Sequence, residues 1–200
     1  MKKNIAAAIA AIALCCGAAA QGRVSIDYDI AEKEPLTRDL MKFLDVEYIK
    51  ITVHGDIKGK KWVLYSHLCS GDSITTKPIF SHPFEFSDTT ATFTIFAQQL
   101  GTDSAYIACD TPRYGGAKTK YAIDAKNDTS FPASYILMET FPEKPYTVSD
   151  RINLAAYTTG IRMSSTSYSY CDLRDKKSDP ETWQKEYGIP RFVFFSLKLE

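Results

Sequence analysis

Histidine is scarce in this chain: 200 residues hold three, His54, His67 and His82, and none follows position 82. Any chemistry that relies on a late imidazole as general base is therefore without its base. Charge of one sign is also lacking, since 24 Lys and Arg face 24 Asp and Glu. The densest basic group, Lys58, Lys60 and Lys61, reads as a solvated turn, so no electrostatic footprint for nucleic acid is present. Past the first twenty residues no apolar run approaches the ~20 residues that span a bilayer. There is no CxxC, which excludes a thioredoxin-type redox motif. HExxH, a Walker loop, GxSxG and a dinucleotide fingerprint are missing too, and no cofactor is implied.

The N-terminus has the order of a secretory leader. Met1-Lys2-Lys3-Asn4 is a short positive region, Ile5 to Leu14 is apolar and uncharged, and Ala18-Ala19-Ala20 supplies small residues for a signal peptidase. This pattern predicts residues 1–20 as a signal peptide, cleaved between Ala20 and Gln21. The alternative is lipidation at Cys15 or Cys16. Lipoprotein processing needs a small residue before the modified Cys, and Leu14 and Cys15 fit that need poorly. The expected location is periplasmic, at the cell surface or secreted, with no transmembrane segment in the mature chain. The remaining ~180 residues suffice for one domain with its own core.

Period-two alternation dominates that domain, 21–200. Ile49, Ile51 and Val53 share one face, as do Ala91, Phe93, Ile95 and Ala97, opposite a face mostly of Thr. Further runs are Val24–Ile30, Trp62–Cys69, Ser104–Cys109, Lys120–Asp124, Ser134–Phe141, Arg151–Thr158, Ser167–Cys171 and Arg191–Leu199. Turn signals such as Gly71-Asp72 and Gly115-Gly116 separate them. Many short strands with frequent turns predict an all-β, mostly antiparallel β-sandwich. Two short helices are expected as insertions. Thr37 to Leu44 sets Leu36, Leu40, Phe43 and Leu44 on one stripe. The second runs from a capping Asp179 and Pro180 to Gly188 and Pro190.

Three cysteines remain beyond the leader, Cys69, Cys109 and Cys171. Export places them where disulfides persist, and an odd count allows one bridge and one free thiol. The preferred pairing is Cys109–Cys171, with Cys69 buried. His67 and Cys69 lie two apart on a strand and share a face, which makes them an alternative metal pair. No metal is the favoured expectation. If Gly55–Lys61 is a hairpin loop, His54 pairs near Trp62 and sits roughly 17 Å from His67 at strand rise, too far for a shared ion.

Ser70-Gly71-Asp72-Ser73-Ile74-Thr75 resembles the nucleophile block of the GDSL (SGNH) hydrolases, and the resemblance would make Ser73 a nucleophile. It covers only these residues. That family's Gly-x-Asn-Asp block is matched only by Ala125-Lys126-Asn127-Asp128, and its Asp-x-x-His near the C-terminus has no counterpart. The competing expectation is a turn between two strands. No spacing singles out a catalytic carboxylate pair, although glycosidase carboxylates come from distant segments.

Aromatic side chains are plentiful: twelve Tyr, eleven Phe and two Trp. Most belong in a sandwich interior. In Ser164-Ser165-Thr166-Ser167-Tyr168-Ser169-Tyr170, alternation puts Tyr168 and Tyr170 on one face among small hydroxyl residues, a composition suited to recognition. The function expected is an exported, non-catalytic binding or structural module at a bacterial cell envelope, with glycan or an envelope protein as partner. One alternative is a secreted hydrolase using Ser73 or dispersed carboxylates. The other is a surface assembly subunit whose strand Arg191–Leu199 pairs with a partner's sheet edge.

Overall fold

A computed structural model describes residues 22–30, 33–111, 113–125, 133–140, 146–147, 150–165 and 167–200. The leader, its Ala20–Gln21 junction, Cys15, Cys16 and Asn127 lie outside the described residues. In chain order the first elements are β1 (Arg23–Asp29), α1 (Pro35–Phe43), β2 (Val46–Gly55), β3 (Lys61–Ser70), β4 (Ser73–Pro78) and β5 (Phe84–Glu85). Next come β6 (Thr90–Leu100), β7 (Ser104–Thr111), β8 (Gly115–Ala122), β9 (Ile136–Glu139), β10 (Tyr146–Thr147) and β11 (Arg151–Thr158). The last are β12 (Ile161–Arg162), β13 (Tyr168–Ser169), α2 (Tyr170–Lys176), a 3₁₀ turn Pro180–Thr182, α3 (Trp183–Tyr187) and β14 (Arg191–Leu199).

The strands form two antiparallel sheets, as alternation with frequent turns requires. One has the order β10-β1-β2-β6-β7-β8 and the other β4-β3-β14-β11-β9, with β5 added against β3. The sandwich interior lies between them. Ile49, Ile51, Val53, Phe93 and Ile95 from the first sheet meet Leu64, Val193, Phe195 and Leu197 from the second. Each such side chain contributes roughly 1.5–3 kcal/mol through burial.

The alternation of β14 is apolar on both faces, which places it at the centre of its sheet. Val193, Phe195, Leu197 and Leu199 point into the sandwich, whereas Phe192 and Phe194 point outward. There they join Cys69, Leu173, Trp183 and Ile189 in a second core under α2 and α3. The second sheet thus has helices on its outer face. β14 is hydrogen-bonded to β3 on one side and β11 on the other. The strand that one alternative pairs with a partner's sheet edge, Arg191–Leu199, is in this fold a central strand with both edges paired within its own sheet.

Three further expectations change. Residues 55–61 do not close a hairpin, because β2 pairs with β1 and β6 while β3 pairs with β4, β5 and β14. Gly55–Lys61 instead crosses from one sheet to the other. The Ser167–Cys171 strand stops at Ser169, whose hydroxyl accepts from Asp172 N at 3.2 Å and so starts α2. That is ordinary N-cap chemistry, and it adds a helix to the two expected. Finally, α1 forms where its stripe predicts, but the stripe faces solvent. Leu36 is 66% and Phe43 85% exposed. Arg38, Met41 and Lys42 line the cleft between α1 and the sheets instead.

Candidate functional site

Trp62, the second residue of β3, is the residue around which an end of the sandwich is built. Its indole is 2% exposed and touches five aromatic rings. Phe84 lies 5.1 Å away, Phe93 5.2 Å in an edge contact, Phe86 5.6 Å and Tyr114 5.9 Å, centroid to centroid. Phe80 completes the shell at 6.2 Å. Edge and offset contacts of this kind are favourable for rings with a quadrupole.

The segment that carries Phe84 and Phe86 is pinned by backbone bonds. Trp62 is in register with Phe84, Phe86 N donates to Lys60 O at 3.0 Å, and Gly59 N donates to Phe86 O at 2.8 Å. From the opposite sheet, the β7–β8 turn delivers Tyr114, stacked on Phe84 at 4.2 Å and donating its hydroxyl to Glu85 O at 2.8 Å. Arg113 sits over the Tyr114 ring, 5.6 Å from its centroid.

These segments leave a cavity of about 250 Å³. Its lining includes the aromatic residues Trp62, Phe86, Phe93 and Tyr114 and the polar residues Glu85, Ser87, Thr90, Thr92 and Arg113. Trp62 Nε1 is buried and has no hydrogen-bond partner among the described residues. A buried N–H normally finds an acceptor, and this one stands without one inside the aromatic cluster.

The residues singled out from sequence lie elsewhere. His67 and Cys69 do share the outer face of their sheet. The ring nitrogens of His67 are engaged, Nδ1 with Thr76 Oγ1 at 2.9 Å and Nε2 with Ser196 Oγ at 2.7 Å. Burial, aided by the Arg151 charge, depresses the His67 pKa to about 4. Cys69 packs against apolar neighbours, and burial pushes its thiol up to about 12. Among the described residues no group of three His, Cys, Asp or Glu gathers as metal ligands would. His54 is on the other sheet, paired with Asp27 at 3.0 Å.

Ser73 closes a two-residue turn with Gly71 at φ +56°, and its hydroxyl donates to Ser70 O at 2.8 Å. It stands in the strand-to-strand turn that competed with the nucleophile block.

Cys109 and Cys171 are not brought together. Both are free thiols. Cys109 lies in the interior between the sheets, whereas Cys171 is exposed on α2, so the second sheet stands between them. Tyr168 and Tyr170 are both half-buried. Tyr170 begins α2 and donates its hydroxyl to Ser134 O. Tyr168 Oη is buried without a partner among the described residues. The ring pair therefore does not form an open strand face.

The Trp62 cavity was missed at the level of sequence because its walls come from three separate stretches. The legible signal was Phe80, His82, Phe84 and Phe86 at alternate positions. No known family, curated protein or solved structure is similar to the chain at a significant level.

Proposed function

We propose that the chain is an exported, non-catalytic binding module of the bacterial cell envelope, which takes its ligand in the Trp62 cavity. The observation that carries this reading is a cavity where aromatic residues and the polar side chains of Glu85, Ser87, Thr92 and Arg113 converge. Concave, mostly apolar sites with a few placed polar groups are the usual form of ligand pockets. Export is supported by the leader pattern of residues 1–20. Intact mass of the exported protein is expected to begin at Gln21, and an acylated Cys15 or Cys16 would make it an anchored lipoprotein instead.

Two measurements test the reading. Trp62 emission should respond to soluble envelope fragments, whether glycan or peptide, and Arg113→Ala, at an exposed lining residue, should weaken the binding while the fold persists. The hydrolase alternative is tested by a fluorophosphonate probe, which should leave Ser73 unlabelled. A Ser hydroxyl without a general base is a poor nucleophile near neutral pH. Labelling abolished by Ser73→Ala would reverse the ranking.

A further inference from the structure

We propose that the open edge of β8 takes up, as an added strand, an extended segment of another protein in which acidic and apolar residues alternate. This surface is separate from the Trp62 cavity and does not depend on it.

Each sheet ends in a strand with one free edge on the same side of the sandwich. Among the described residues β8 is paired with β7 alone and β4 with β3 alone. Residues of both strands line one groove of about 190 Å³. The sandwich does not close over it. Thr119 is in register with Ile107 and Thr75 with Leu68, partners that pack into the interior, yet both threonines are exposed. An edge strand leaves backbone N–H and C=O groups outside any ladder, and an extended peptide can take them up by adding a strand.

Charge selects the guest. β8 carries Lys118 and Lys120, β4 carries Lys77, and neither strand has a carboxylate. Lys118 lies over the Tyr106 ring, 4.3 Å from its centroid, and Lys120, two residues on, shares its face. The one carboxylate of β7, Asp110, lies across from Gly116. An added strand would set its own residues opposite the two lysines, where opposite charges attract and like charges repel. A second copy of this chain is therefore the wrong guest. Antiparallel pairing of β8 with itself about Thr119 would put Lys118 against Lys120, and β4 offers only another lysine. Lysines at an edge keep like edges away and leave it open to an acidic one.

Period two sets the rest of the pattern. Guest residues between the acidic ones turn toward the groove. Leu68 and Ile79 line it and are only half-buried, so apolar guest side chains have accessible apolar surface to cover.

The test follows the backbone amides of the intact protein by nitrogen–proton NMR. The probe is a capped heptapeptide of alternating glutamate and valine. One control replaces glutamate with lysine, and another keeps the composition but gathers the glutamates and valines into blocks. The alternating acidic peptide should give saturable shifts along β8, slow the exchange of β8 amides, and bind more weakly as salt rises. Neither control should do so. Lys118→Glu combined with Lys120→Glu should weaken the acidic peptide about tenfold or more and admit the basic one. Both lysines are exposed, and an unchanged circular dichroism spectrum checks that the fold is kept. Arg113→Ala should leave this binding as it was, which separates it from the Trp62 cavity. An equal response to either control, protection on β4 or elsewhere in place of β8, or no response to any peptide would overturn the proposal and leave the cavity reading standing.

Discussion

The imidazole of His67 lies flat on the ring of Phe194, with centroids 4.2 Å apart and planes 10° from parallel. Arg151 approaches the same Phe194 ring, 6.0 Å from its centroid, and pairs with Glu181 at 2.6 Å. The histidine is thus clamped between an aromatic face, two hydroxyls and a nearby cation. Its neutral form fits this setting, since one nitrogen can donate and the other accept.

Acid should expose that arrangement. The His67 pKa is about 4 in the folded chain and ~6.5 in an unfolded one. Between these values the unfolded state binds a proton that the folded state refuses. Stability is therefore full above about pH 6.5, falls as pH drops toward 4, and loses nothing further from this group below that. The loss is at most roughly 3 kcal/mol. Urea unfolding across this range should show the decline, and His67→Gln should flatten it. An unchanged slope in the variant would contradict the assignment.

Gly55 should resist replacement. Its φ is +146°, and a Cβ there would stand 2.2 Å from Arg23 O. Both the strain and the clash with backbone oppose a side chain. Gly55→Ala is expected to cost about 2 kcal/mol or more, read as a lower denaturation midpoint. A shift within error would mean that β1 moves freely, which its six paired residues along β2 argue against.

Thiol accessibility should separate the cysteines. Of Cys69, Cys109 and Cys171, only Cys171 is exposed. Burial raises the other two thiols, Cys69 to about 12, so their nucleophilic thiolates are suppressed. Native protein should react at Cys171 alone, and unfolded, non-reduced protein at all three. A peptide map joining Cys109 to Cys171 would show a bridge that the fold keeps apart.

Two phenylalanines should behave in opposite ways. Phe43 ends the stripe of α1 and is 85% exposed, whereas Phe195 is fully buried in the sandwich. Phe43→Ser should change stability by less than about 0.5 kcal/mol. Phe195→Ala should cost ~3–5 kcal/mol. A large loss at Phe43 would mean that its stripe is covered in solution.

Local rules made several elements legible from residues alone. Alternation placed Phe93 and Ile95 inward, an apolar stripe located α1, and cap and stop residues located the 3₁₀ turn and α3. Asp179 does cap, accepting from Glu181 N at 3.0 Å, and Gly188 does stop α3 at φ +67°. These outcomes depend on a few neighbouring residues, so a short window of sequence contains their cause. The face that α1 turns to solvent and the crossing of Gly55–Lys61 between sheets were decided by tertiary structure. The Trp62 cavity was decided there as well. Its walls include Trp62, Glu85, Phe93 and Arg113, drawn from both sheets and the connections between them. Hydrophobic burial is non-directional, so each segment specifies that its apolar face be covered but not by what; only the packing of the two sheets settles which surfaces meet and where a gap is left.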